Sequence, residues 1–131
     1  MDDAIALAHK GAFVDVDTVN QHIGRWLRYY RDRGGPWDQL TVSSDAHTPK
    51  ASPAKLRAAF TESVREHGFG VEDLLPLFTR NPARALKLAG KGELREGADA
   101  DIVILERDTL RVVEVMARGR RLVADGAVLD E

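Results

Sequence analysis

The segment from Ala12 to Ser44 constrains the fold more than any other part of the chain. Ala12-Phe13-Val14-Asp15-Val16 is apolar and β-branched enough to predict a strand. From Asn20 to Arg33, Ile23, Trp26, Leu27 and Tyr30 recur at helical spacing. That pattern predicts a helix with one buried stripe and with Arg25, Arg28, Arg31 and Asp32 on its solvated side. Gly34-Gly35-Pro36 stops the helix, and Leu40 to Ser44 is a second strand whose buried part is Leu40-Thr41-Val42. A helix long enough for a crossover between two strands makes them parallel. A sheet of two parallel strands has an open edge on each side, and parallel sheets need cover on both faces. Only a short opening helix around Ile5, Leu7 and Ala8, closed by His9-Lys10-Gly11, precedes this unit. The expectation is therefore the closing end of a larger parallel α/β structure.

Ser43-Ser44-Asp45-Ala46-His47 lies where the second strand gives way to a loop containing Pro49, Ser52 and Pro53. In barrels of parallel strands the C-terminal strand ends form the open, loop-built face that carries catalytic groups. A carboxylate there can ligate a hard cation or zinc, act as a general base, or do both. It can equally cap the loop or the next helix.

Composition removes several function classes. The 131 residues are enough for one ordinary domain, and 44% hydrophobic with 31% charged residues is a soluble globular balance. Net charge is −2 with both signs interspersed, so neither a nucleic acid nor a membrane surface is an expected partner. There is no cysteine, which excludes disulfides and thiolate catalysis and leaves histidines and carboxylates as the only metal ligands. The chain opens with Met1-Asp2-Asp3, without a signal-peptide pattern, so a cytoplasmic protein is expected.

Beyond the loop, Ser52-Pro53 supplies an N-cap and first turn for a helix to about Glu66, with Leu56, Phe60 and Val64 on one face. Val71 to Phe78 is a shorter helix. Asn81-Pro82 is expected to cap another, using Ala85, Leu86 and Leu88 before Gly90. From Gly92 the period changes. Ile102 to Leu105, Val112 to Met116 and Leu122-Val123 are short strands of an antiparallel appendage, and Arg118-Gly119-Arg120 is its hairpin turn.

Val42-Ser43-Ser44-Asp45, Thr79-Arg80-Asn81-Pro82-Ala83-Arg84-Ala85-Leu86-Lys87-Leu88 and Gly92-Glu93-Leu94-Arg95-Glu96-Gly97-Ala98-Asp99-Ala100-Asp101-Ile102-Val103 together resemble the C-terminal part of the amidohydrolase superfamily. Ala8-His9-Lys10-Gly11-Ala12-Phe13-Val14-Asp15-Val16 resembles the seventh barrel strand of its isoaspartyl (β-aspartyl) dipeptidases with the helix before it. Ser43-Ser44-Asp45 resembles the end of their eighth, and Val115 to Arg120 with Val123 to Gly126 resembles their tail. The resemblance implies the last two strands and helices of a (β/α)8 TIM-like metal-dependent hydrolase barrel over residues 1–90. Residues 91–131 would then be a segment of the small β-sandwich appendage. In that family two zinc ions are held by a His-x-His pair, a carboxylated lysine, two further histidines and the aspartate ending the eighth strand. That aspartate maps onto Asp45, as metal ligand and as the proton shuttle between the hydroxide and the leaving amine. The other ligands have no counterpart among the four histidines here, which include no His-x-His. The substrate implied is a small amide, above all a β-aspartyl dipeptide.

The family's loop after the aspartate is glycine-rich with a substrate-contacting serine. Here it runs Ala46-His47-Thr48-Pro49-Lys50-Ala51-Ser52, so Thr48 or Ser52 would take that role, and His47 could contact substrate or share a metal with Asp45. Asp15 faces the same barrel mouth and could orient substrate or a ligand. His9 and His22 read as surface residues, His67 as a helix C-terminal cation, Asp99 and Asp101 as turn residues, and Trp26 and Trp37 as packing. Two expectations follow. One is the C-terminal portion of a zinc-dependent amidohydrolase, inactive alone. The other is a barrel remnant or split-gene product that acts by homo-oligomerising, or by pairing its open sheet edges with a partner chain.

Overall fold

A computed structural model describes residues 1–19, 22–46 and 52–130. Helix α1 (Asp2–Ala8) leads into strand β1 (Val14–Asp17), helix α2 (Ile23–Asp32) and strand β2 (Leu40–Ser43), which a 3-10 turn at Trp37–Gln39 introduces. The two strands pair in parallel, with Val14 opposite Leu40, Asp15 opposite Thr41, Val16 opposite Val42 and Asp17 opposite Ser43. The strand–helix–strand expectation holds, with β2 one residue shorter than expected.

Alternation along the strands gives the sheet two unlike faces. Val16, Leu40 and Val42 are buried against the helices, and Val14 packs beside them. Asp15, Thr41 and Ser43 occupy the intervening positions and are joined to one another by hydrogen bonds.

Ile23, Leu27 and Tyr30 form the buried stripe of α2, but Trp26 is 48% exposed and does not join it. The helix is rotated toward Gly24, over which the His67 ring lies so closely that an added Cβ would come within 2.2 Å of it. The arginines of α2 are also not simply solvated. The guanidinium groups of Arg28 and Arg31 lie 5.5 and 4.5 Å from the centre of the Phe69 ring, which is itself buried. Trp37 stacks on Phe69, as expected of a packing residue, and its indole N–H donates to the Asp73 carbonyl at 2.7 Å.

Helix α3 (Pro53–Arg65) starts at Ser52, whose Oγ accepts from the Ala54 N–H, and helix α4 (Val71–Phe78) follows. Phe60 of α3 and Phe78 of α4 meet edge to face, and Leu74 and Leu77 of α4 are fully buried. Helix α5 (Arg80–Ala85) begins at Thr79, so Asn81 is inside the helix and not its cap. It is fully buried, and its amide donates to the carbonyls of Trp37 and Leu40. Leu86 and Leu88, expected on a buried face, are exposed because the helix has already ended at Ala85.

Strands β3 (Ile102–Leu105), β4 (Val112–Ala117), β5 (Arg120–Ala124) and β6 (Ala127–Val128) form an antiparallel meander. Arg118-Gly119 turns β4 into β5, and Asp125-Gly126 turns β5 into β6. Both residues of each turn have positive φ, the geometry of a two-residue hairpin whose twist matches its strands. The second hairpin was not among the sequence expectations.

Candidate functional site

Asp45 stands two residues beyond the end of β2, exposed and in the left-handed region at φ 46. Aspartate tolerates that conformation better than most residues. Ser43 is the last residue of β2 in register with β1, and its carbonyl accepts from the Thr18 N–H at 3.1 Å. The chain therefore leaves the sheet from a fixed point and presents Asp45 just past the C-terminal strand end.

Asp15 lies one strand away. Its Oδ1 accepts from the Thr41 hydroxyl and its Oδ2 from the Ser43 hydroxyl, each at 2.6 Å. Asp17, two residues on, turns instead to its own loop and accepts from the Val19 N–H at 2.8 Å. Carboxylate and hydroxyl groups thus gather at one end of a parallel sheet.

Of the residues expected to contact substrate, His47 and Thr48 lie outside the described residues. Ser52 uses its hydroxyl oxygen to cap α3. Among the described residues no group of three or more histidines and carboxylates is arranged to hold a metal ion. Among the described residues, then, the donors brought together do not make up a metal site. Asp45 offers one carboxylate, and His22 and His67 are engaged elsewhere: His22 Nδ1 lies 2.9 Å and His67 Nε2 3.6 Å from Glu62 Oε1, at the contact of α2 with α3. Asp99 and Asp101 are structural, as expected. Both pair with Lys91, and Asp101 also accepts from the Arg118 N–H in the first hairpin turn. The sequence did not reveal that Asp15 bonds two hydroxyls; the signal that could have shown it is the polar alternation of Asp15 against Thr41 and Ser43 in neighbouring parallel strands.

Residues 39–130 match the sequence profile of the amidohydrolase family. The chain belongs to that family. Three further similarities to known proteins accompany that match. The structure superimposes on that of a β-aspartyl dipeptidase from Fervidobacterium islandicum AW-1, solved with a β-Asp-Leu dipeptide, at a TM-score of 0.85 and 21% identity. The superposition covers 99% of this chain and 38% of that one. A dihydroorotase from Clostridium botulinum is 28% identical over 93% of this chain and 38% of its own length. The α-D-ribose 1-methylphosphonate 5-triphosphate diphosphatase of Escherichia coli is 32% identical over 83 residues, 62% of this chain and 21% of that protein. The amidohydrolase chain thus spans less than two-fifths of the length of the relatives it matches.

No helix among the described residues is long and apolar enough to cross a membrane.

Proposed function

We propose that this chain supplies the strand-end carboxylate of a zinc-dependent amidohydrolase that cleaves an amide bond, with a β-aspartyl dipeptide as the substrate. The observation that carries the proposal is the position of Asp45, exposed just past the C-terminal end of a buried strand in a parallel pair. Residues 1–90 are assigned to the last two strands and helices of the barrel, and residues 91–131 to its β-sandwich appendage. The change around Gly92 from helices to an antiparallel meander supports this division.

In this reading Asp45 is a metal ligand and the group that moves the proton. Its carboxylate takes a proton from the attacking water and returns it to the leaving amine, which would otherwise depart as an unstable anion. The metal, when bound, lowers the pKa of that water. One carboxylate does not hold two zinc ions, so the remaining ligands come from elsewhere and the 131-residue chain is inactive alone. His47 and Thr48 remain the loop residues proposed to meet substrate, with Ser52 beside them.

The first experiment is to read the coding DNA upstream of Met1 in frame. A frame of roughly 250 further codons, the remainder of a barrel of ordinary size, carrying a His-x-His pair supports the assignment. Its product should hydrolyse β-Asp-Leu with zinc, and the 131-residue chain should not. Hydrolysis by the short chain, purified free of host enzymes, would overturn the assignment of the missing ligands.

A second reading is favoured by the sheet edges. β1 and β2 pair only with each other among the described residues, and Val103 and Ile104 of the edge strand β3 are exposed. A barrel remnant acting through association would use these edges. Light scattering separates the two: a stable oligomer or partner complex without hydrolase activity supports this second reading, and a cooperative monomer counts against it.

A further inference from the structure

Every strand position that faces away from the helices on β1 and β2 could have been filled by a β-branched residue without loss of pairing. Asp15 is instead a carboxylate, and its environment is specific. It sits opposite Thr41 and reaches diagonally to Ser43, so that each of its oxygens receives one hydroxyl at 2.6 Å. A carboxyl group offers two oxygens on one planar end, so each hydroxyl can donate to its own acceptor at once.

Burial explains only half of this. Thr41 is 7% exposed, and its hydroxyl has two acceptors in reach, the Val14 carbonyl at 3.3 Å and, closer, Asp15 Oδ1. Ser43 is half-buried and could be satisfied by water, yet it bonds Asp15 and not Asp17, the residue directly across from it. Asp17 is committed to Val19. Ser43 is thus held twice, through its carbonyl by Thr18 and through its hydroxyl by Asp15. It is the last residue of β2, two before the left-handed Asp45.

We propose that Asp15 is a positioning residue: through the Ser43 hydroxyl it fixes the end of β2 and with it the direction in which Asp45 is presented. The inference deepens the hydrolase reading and rests on it for its purpose. The mechanical link, however, can be measured in the 131-residue chain without metal or substrate. Its failure is therefore distinct from a failure of that reading.

The test is the backbone 15N order parameter of Asp45 by NMR in Asp15→Ala, Ser43→Ala, the double variant and Ser43→Thr. The order parameter at Asp45 should fall toward about 0.6 in each single alanine variant, well below the roughly 0.85 of rigid backbone. The double variant should show no further fall, because both single changes cut the same link. Ser43→Thr keeps the hydroxyl on a residue that suits a strand and should restore the wild-type value. Three results would each overturn the proposal. These are an unchanged Asp45 in both alanine variants, a loss of order spread evenly over β1 and β2, and a failure of Ser43→Thr to restore order. Should Asp15→Ala not fold, Ser43→Ala against Ser43→Thr decides alone.

Discussion

The side-chain amide of Asn81 donates to the carbonyl oxygen of Leu40 at 2.8 Å, across 41 residues of sequence. Its other proton goes to the Trp37 carbonyl at 2.9 Å. Asn81 therefore ties α5 to the 3-10 turn and to the first residue of β2, the strand that leads to Asp45.

Asn81→Ala should be among the most destabilising polar truncations in the protein. It removes two buried donors and strands both carbonyls, a loss of about 2–4 kcal/mol. Asn81→Asp should be at least as severe, since a carboxylate at that position cannot donate to either carbonyl. Urea titration followed by circular dichroism measures both. A loss below 1 kcal/mol in both variants would show that water replaces the amide without cost.

Gly24→Ala tests the rotation of α2. The new Cβ would fall 2.2 Å from the His67 ring, which must then move off the helix and away from Glu62. Overpacking of this kind costs about 1–3 kcal/mol. If the ring is the cause, His67→Ala should lessen the penalty of Gly24→Ala, and a double-mutant cycle on thermal unfolding reads the coupling. Additive effects would place the strain elsewhere.

What the sequence made legible follows from the range of the interactions involved. The boundaries of α4 and β3, the Ser52 cap and the Arg118-Gly119 turn depend on neighbours close in the chain, and the parallel sense of β1 and β2 follows from the crossover helix between them. Trp26 lies at the margin of the α2 stripe, on the side opposite Gly24, and the ring packed on Gly24 comes from the distant His67. Asn-Pro suits a cap locally, but the partners that decide the place of Asn81 are Trp37 and Leu40, more than 40 residues away. Arg28 and Arg31 looked solvated because Phe69 is distant in sequence. Asp125-Gly126 is a plain local turn signal and could have been found. At the site, the strand end and Asp45 were legible from the β2 pattern. The Asp15 link needed the register of two strands.

The acid stability of the appendage should depend on Asp101. Its carboxyl is held below the ordinary aspartate range, first by the hydrogen bond from Lys91 and then by that from the Arg118 N–H. A carboxylate whose folded pKa is depressed contributes stability that is present above its unfolded pKa, about 3.9, and is lost as pH falls through the lower folded value. Lys91 is raised in turn by Asp101 and Asp99, so its contribution is complete at neutral pH and fades only as alkaline pH passes its raised folded pKa. Melting temperatures between about pH 2 and 6 should therefore fall less steeply in Asp101→Asn than in the wild type. Parallel curves would mean that the acid limb belongs to other carboxylates.

Asp45→Asn is the substitution that separates chemistry from architecture. Asp45 is exposed and lies outside β2, so an isosteric amide there should leave the melting temperature of the 131-residue chain almost unchanged. An amide neither takes a proton from water nor binds a cation as a carboxylate does. In the longer protein or assembled complex that carries this segment, hydrolysis should fall by about 10²–10⁴-fold, the range for loss of a positioned proton-transfer group. Loss of a metal ligand would add to that fall, and metal content measured beside the rate distinguishes the two roles. Retained metal with a reduced rate assigns Asp45 mainly to proton transfer, whereas lost metal assigns it first to binding. An unchanged rate would remove Asp45 from the site, and with it the reading of β2 as the strand that delivers the carboxylate.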